Sequence, residues 1–326
     1  MKLSVIGGGS WGTALAIVLA PRFDRVSLWV YEDDLALRMR DSRENDVYLP
    51  GFRLPENVDV TTELRGADFV LGVMPSHFVR ATFRAAAPHL DPSMTVVSAT
   101  KGIEQGTLLR MSEVIRETLP FETPVAVLSG PTFAREIARG DPAAVVIACE
   151  DSSVASRVQS AFSTSNLRFY TNSDAIGVEI GAALKNAIAI AAGVCQGLGL
   201  GNNTLAALIT RGLAEISRLA VAMGAEGKTL SGLAGLGDLV LTCSGDLSRN
   251  RKVGIELAKG MNLPEIVRST KMVAEGVETC SAAVELGEKF GVDLPIIQQM
   301  DAVLHHGKDP RAALRVLMER SLKGES

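Results

Sequence analysis

The sequence predicts an α/β chain in two parts, a doubly wound sheet over residues 1–172 followed by an all-helical domain over 173–326. Three observations carry this reading. Short apolar runs of β character alternate with helical segments through the first half. A glycine-rich turn separates the first run from the first helix. Beyond Thr171-Asn172-Ser173-Asp174 the β-like runs largely stop, and alanine- and leucine-rich helical spacing continues. A chain of 326 residues also exceeds what one hydrophobic core usually serves.

Taken in order, the opening strand Leu3–Ile6 leads into Gly7-Gly8-Gly9-Ser10-Trp11-Gly12 and then the helix-forming Thr13–Ala20. Strand, G-x-G-x-x-G and helix together turn backbone N–H groups and a positive helix end toward a pyrophosphate, so this segment reads as a Rossmann-type dinucleotide site. Gly7 allows the tight turn, Gly9 keeps a Cβ away from the pyrophosphate, and Gly12 lets helix and strand pack closely. Further strands are expected at Arg25–Val30, Phe69–Val73, Thr95–Ala99, Val125–Leu128 and Ala143–Ala148. Proline and glycine mark the ends at Met74-Pro75-Ser76, Ser129-Gly130-Pro131 and Gly140-Asp141-Pro142, where open α/β sheets place their ligands.

In the helical half, the segment from Ile180 to Thr210 holds a single charged side chain, Lys185. Burying an ammonium is costly, and desolvation lowers its pKa toward the range useful for proton transfer, so Lys185 is a candidate general acid or base. A snorkelling stem at a domain edge is the alternative. Asp238 stands alone among apolar neighbours in Gly235-Leu236-Gly237-Asp238-Leu239-Val240. It could hold a lysine charged, accept from substrate hydroxyls, or cap a helix beginning at Leu239. Ser248-Arg249-Asn250 offers a hydroxyl, a guanidinium and an amide, a set suited to phosphate oxygens.

Composition excludes several classes. With 33 basic and 37 acidic residues the net charge is -4, which gives no electrostatic footprint for nucleic acid or an anionic membrane. The four cysteines, Cys149, Cys195, Cys243 and Cys280, are scattered, which indicates neither a zinc site nor a disulfide framework and fits a reducing compartment. The first strand starts within two residues, leaving no room for a targeting peptide, and no run of about 20 residues reads as a membrane span. A cytoplasmic protein without a metal is expected.

End to end, the chain resembles the NAD(P)-dependent glycerol-3-phosphate dehydrogenase family. The matching segments run from Gly7–Ala16 through Met74-Pro75-Ser76, Ser98–Ile103, Leu128–Glu136, Ala183-Leu184-Lys185-Asn186, Gly235–Leu239 and Ser248-Arg249-Asn250 to Val273–Thr279. The resemblance implies reversible hydride transfer between dihydroxyacetone phosphate and sn-glycerol 3-phosphate, feeding glycerophospholipid synthesis, and suggests a homodimer. By the same resemblance Lys185 is the proton donor and acceptor, Asp238 holds substrate and lysine in register, and Lys101 contacts both cofactor and substrate. Gly130, Thr132, Ser248, Arg249 and Asn250 match substrate-binding positions. Ser10, Trp11, Ala134, Arg249, Val273 and Glu275 match cofactor contacts.

Cofactor choice is made at the end of the second strand, Val26–Asp33, where relatives often carry histidine or arginine and this chain has Tyr31 followed by Glu32 and Asp33. NAD and NADP both stay open there, and Tyr48 is a candidate wall of the same pocket or packing for its loop. Two rivals share parts of the pattern. Another two-domain dehydrogenase, for β-hydroxyacids or 6-phosphogluconate, would have the fingerprint and a lysine, but not Gly237-Asp238 followed by Ser248-Arg249-Asn250. A protein that senses NAD(P)H without turnover would not require the isolated Lys185.

Overall fold

A computed structural model describes residues 1–269, 274–322 and 324. In chain order the strands are β1 (Lys2–Ile6), β2 (Arg25–Trp29), β3 (Glu44–Asn45), β4 (Leu49–Arg53), β5 (Val58–Thr61), β6 (Phe69–Gly72), β7 (Thr95–Ser98), β8 (Val125–Ser129), β9 (Ala143–Ala148) and β10 (Leu167–Asn172). Apart from the antiparallel hairpin β3–β4, they form one eight-stranded sheet in the order β10-β9-β8-β7-β6-β1-β2-β5. From β5 to β8 every pairing is parallel. The chain therefore winds outward from β1 to β5, returns, and lays β6 on the other side of β1. The glycine turn after β1 lies at this switch point, where an open parallel sheet leaves a crevice.

Four departures from the sequence reading have physical causes. β5 and β10 are additional strands: Val-Asp-Val-Thr and Leu-Arg-Phe-Tyr-Thr-Asn lie at the two sheet edges and mix polar with apolar residues instead of running continuously apolar. The β3–β4 hairpin is too short and polar to signal itself. β9 runs antiparallel to β8, and β10 follows β9 in parallel, so the doubly wound part ends at β8. The core beneath the sheet is pinned by Phe23, Phe69, Phe162 and Phe169, packed edge to face with centroids 5.4 to 6.0 Å apart.

The helices of this half are α1 (Ser10–Leu19), α2 (Asp33–Ser42), α3 (Val79–Ala86), α4 (Met111–Thr118), α5 (Ala134–Arg139) and α6 (Ser152–Phe162). After Asn172 the described elements are helical: α7 (Ala175–Gly197), α8 (Asn202–Ala222), α9 (Gly227–Leu230), α10 (Asp238–Ser244), α11 (Arg249–Ala258), α12 (Leu263–Ser269), α13 (Glu275–Phe290), α14 (Pro295–His305) and α15 (Pro310–Met318). The apolar stretch from Ile180 to Thr210 is thus two helices, broken where Gly199 takes φ +76°.

α7 is the axis of this half, ringed by α8, α10, α11, α13 and α14. Its start is fixed by Asp174, whose carboxylate accepts from the Gly177 N–H at 2.8 Å and the Glu226 N–H at 2.9 Å. The expectation that no segment could span a bilayer is corrected here. By length and composition α7 qualifies, with 23 residues and a mean hydropathy of 1.5, yet its apolar window is entirely buried within the protein. Its alanines and glycines serve close helix packing, seen where a Cβ on Gly193 would lie 1.9 Å from the Arg251 carbonyl oxygen and one on Gly254 2.0 Å from that of Ile190.

A buried clasp joins the two halves. Glu179 on α7 accepts from Arg110 Nη1 at 2.7 Å, the Ser112 hydroxyl at 2.7 Å and the Ser112 N–H at 2.8 Å, while Glu113 takes the second arm of Arg110 at 2.8 Å. The N-terminus of α4 is thereby tied to the first turns of α7.

Candidate active site

The site forms where the C-terminal ends of the parallel strands face the α7 and α10 helices. Lys101 follows β7, Gly130 follows β8, Lys185 lies midway along α7, and Asp238 opens α10. Asp238 has no solvent exposure, and its two oxygens divide between two lysines: Oδ1 accepts from Lys185 Nζ at 2.6 Å and Oδ2 from Lys101 Nζ at 2.6 Å. Lys101 also donates to the Gly130 carbonyl at 3.4 Å. One carboxylate therefore joins a lysine from the sheet half to a lysine from the helical half.

Asp238 does not cap a helix at Leu239. A π-helical turn over Leu233–Gly237 runs directly into α10, and the Asp238 side chain makes no cap bond. Such a turn shifts the register of the helix beyond it, and here the carboxylate faces the lysines. Thr242, one turn further on, was missed in the sequence. Its hydroxyl accepts from Lys185 Nζ at 2.6 Å and lies 2.6 Å from the Asp238 carbonyl, to which it donates. Its i, i+4 spacing from Asp238 puts both on one helix face, but that spacing alone does not set it apart from a packing residue.

Lys185 is buried, with 7% of its side chain exposed. Burial pushes its ammonium down to about 8, Asp238 opposing this shift and the Lys101 charge adding to it. Two of its three donors are taken by Asp238 and Thr242, which leaves one among the described residues. This is not a snorkelling lysine.

Around this centre, Asn250 Oδ1 accepts the Gly276 N–H at 3.0 Å, binding α11 to the start of α13, where Glu275 sits. Burial pushes the Glu275 carboxyl upward, against the pull of Arg249, Lys101 and Lys185. Ser248 is buried and caps α11 through the Arg251 N–H at 3.3 Å, while Arg249 is exposed. Thr132 bonds back to the Gly130 carbonyl at 3.2 Å, and Ala134 opens α5. Val273 lies outside the described residues.

The glycine turn fits a dinucleotide pyrophosphate. Gly7 takes φ +129°, and a Cβ on it would sit 2.0 Å from the Val73 carbonyl oxygen; one on Gly12 would sit 1.9 Å from that of Gly7. Gly9 differs, since nothing lies within 4 Å of its missing Cβ, and as the cap of α1 it brings no side chain to the free N–H groups. The protein itself leaves that cradle open. Ser10 donates to the Tyr48 carbonyl at 2.6 Å, Trp11 Nε1 is buried without a partner, and Tyr31 is 79% exposed.

Two family models cover the chain, the N-terminus of NAD-dependent glycerol-3-phosphate dehydrogenase over residues 2–155 and its C-terminus over 174–315. The chain belongs to the NAD-dependent glycerol-3-phosphate dehydrogenase family. It is 53% identical over 330 residues to the glycerol-3-phosphate dehydrogenase [NAD(P)+] of Geobacter sp. (strain M21), covering 99% of this chain and 98% of that one. With the enzyme of the same name from Koribacter versatilis it shares 54% over 327 residues, covering 98% and 97%. The crystal structure of glycerol-3-phosphate dehydrogenase from Coxiella burnetii superposes with a TM-score of 0.94 at 38% identity, over 98% of this chain and 99% of that one. In this dehydrogenase fold the Lys101–Asp238–Lys185 cluster and the glycine cradle occupy the same side of the sheet, at the ends of β1, β7 and β8.

Proposed function

We propose that this chain interconverts dihydroxyacetone phosphate and sn-glycerol 3-phosphate with NAD or NADP, and that it supplies glycerophospholipid synthesis. The observation that carries the reading is the buried Lys185, with a lowered proton affinity and one donor left over beside Asp238 and Thr242. The nicotinamide, when bound, supplies or accepts the hydride at the substrate's C2. In reduction, Lys185 gives its proton to the C2 oxygen; in oxidation it takes that proton back. Asp238 keeps the ammonium charged and aimed, and Lys101 adds a second positive group that stabilises developing negative charge on the oxygen.

Substrate phosphate is assigned to Arg249, Ser248 and Asn250 with Gly130 and Thr132 as the facing wall; the cofactor is assigned to Gly7, Gly9, Ser10, Trp11, Gly12, Tyr31, Tyr48, Lys101, Ala134, Arg249, Val273 and Glu275. The chain divides functionally at 172/173 into cofactor and substrate domains, works in the cytoplasm, and pairs as a homodimer. The test monitors loss of reduced-nicotinamide absorbance with dihydroxyacetone phosphate for the native chain and Lys185→Ala. Turnover abolished in the variant with cofactor affinity intact supports the assignment; a native chain that turns over no dihydroxyacetone phosphate overturns it.

A further inference from the structure

We propose that Glu32, held in place by Tyr48, makes this chain select NAD over NADP; the inference rests on the dinucleotide reading of the glycine cradle. In a sheet of this type an acidic residue about 20 positions beyond the glycine fingerprint accepts a hydrogen bond from the adenosine ribose 2′-hydroxyl, and Glu32 stands at that place, just past β2. It occupies the cap position of α2, yet its carboxylate makes no bond to its own helix. Instead Oε1 accepts from the Tyr48 hydroxyl at 2.7 Å. The other oxygen is left for a ribose hydroxyl.

Tyr48 is itself mounted on the pyrophosphate cradle. Its N–H donates to Asn45 Oδ1 at 3.0 Å, and its carbonyl accepts from Ser10 of the fingerprint at 2.6 Å. Asn45, fully buried, donates to the Gly8 carbonyl and to the Thr13 hydroxyl, each at 2.8 Å. Glycine turn, Asn45, Tyr48 and Glu32 thus form one continuous chain of hydrogen bonds, which fixes the carboxylate relative to the turn.

A 2′-phosphate carries about −1.5 to −2 charges and would meet Glu32 together with Asp33 and Asp34 of the first turn of α2. The α2 guanidinium of Arg38 is already bound to Asp34 at 3.0 Å and Asp46 at 3.1 Å. Tyr31 presents an exposed ring edge-on to Trp29, where a cation would be needed to receive the phosphate. Unfavourable charge outweighs the pull of the helix N-terminus, whose dipole contributes only about 0.3–1 kcal/mol at an exposed site.

The test is calorimetric affinity for NADH and NADPH, with ADP-ribose and its 2′-phosphate as probes lacking the nicotinamide, on the native chain, Glu32→Gln and Tyr48→Phe. The native chain is expected to bind NADH about tenfold or more tighter than NADPH, the effect of one like-charge contact. Glu32→Gln should bring the ratio toward unity, largely by tightening NADPH and the phosphorylated probe. Tyr48→Phe keeps the ring's packing but frees the carboxylate, and should narrow the same ratio by a smaller factor. A purely structural Tyr48 would weaken both cofactors equally. Equal native affinities, or a ratio unmoved by Glu32→Gln, overturn the proposal, and binding of neither cofactor overturns it together with the dinucleotide reading. NADH binding without dihydroxyacetone phosphate turnover overturns only the proposed reaction.

Discussion

At the scale of single residues the centre depends on how Lys185 is held. Because burial lowers its pKa to about 8, the proposed acid–base role predicts that reduction keeps a level kcat/KM below that pH and declines above it, and that oxidation rises through the same region. Thr242→Val removes an acceptor that favours the charged form. The reductive limb should then move down by about one pH unit, the equivalent of one hydrogen bond to a charged group. An unmoved limb in the pH–rate profile would remove Thr242 from the tuning of Lys185. Lys185→Ala should lower kcat by about 10²–10⁴-fold. Lys185 and Asp238 were legible in the sequence because each is a lone charge in an apolar stretch, whereas Thr242 was not: a threonine among leucines and a cysteine looks like packing until its hydroxyl is seen against an ammonium.

At the scale of elements, α11 reaches the site because Gly193 and Gly254 let it lie against α7 backbone to backbone. Gly254→Ala should force the helices apart, lowering stability by about 1–3 kcal/mol and displacing Ser248, Arg249 and Asn250. Thermal denaturation should show the first effect; a raised KM for the phosphorylated substrate and, through Arg249, a weaker cofactor affinity should show the second. α14 is held differently. Glu215 on α8 accepts from the Ile296 N–H at 2.8 Å and the Ile297 N–H at 3.3 Å at the start of α14, and burial pushes its carboxyl up to about 7. The folded chain therefore holds a proton that the unfolded chain releases above about 4.5, and this group's contribution to stability falls as pH rises toward 7. Glu215→Gln keeps the acceptor and loses the titration, so Tm plotted against pH should be flatter for the variant over that interval. Helices of this half were legible as a class from composition, but their junctions were less so: the glycines of Gly199-Leu200-Gly201 are a stop signal, yet glycines also recur inside α7, and only φ +76° at Gly199 shows which of them ends the helix.

At the scale of the whole molecule, the two halves meet at two ion clusters of opposite purpose. The Arg110–Glu179 clasp is buried and bonded on all sides, while the Lys101–Asp238–Lys185 cluster keeps donors in reserve. Glu179→Ala would leave Arg110 only the more exposed Glu113 and orphan the buried Ser112 N–H, and should destabilise the chain by about 1–3 kcal/mol. Denaturant unfolding should read this as a lower midpoint, and a variant as stable as the native chain would demote the clasp to an ordinary surface pair. The doubly wound class of the sheet came from the strand and helix alternation, while its order and its edge strands β5 and β10 came from the structure. The reversal of β9 was not legible either, because strand direction depends on where the connecting segment lands and Ala-Ala-Val-Val-Ile-Ala reads alike in both directions.

The central position of α7 also bears on how the protein is made. The helices that enclose it, α8, α10, α11, α13 and α14, all lie after it in the chain. During synthesis a 23-residue segment greasy enough to enter a bilayer emerges well before its covering exists, and it stays uncovered until the last of those helices has been added. Ribosome-bound chains arrested between α8 and α11 should therefore be held by chaperones or drawn to membranes, and release from them should coincide with the appearance of α13 and α14.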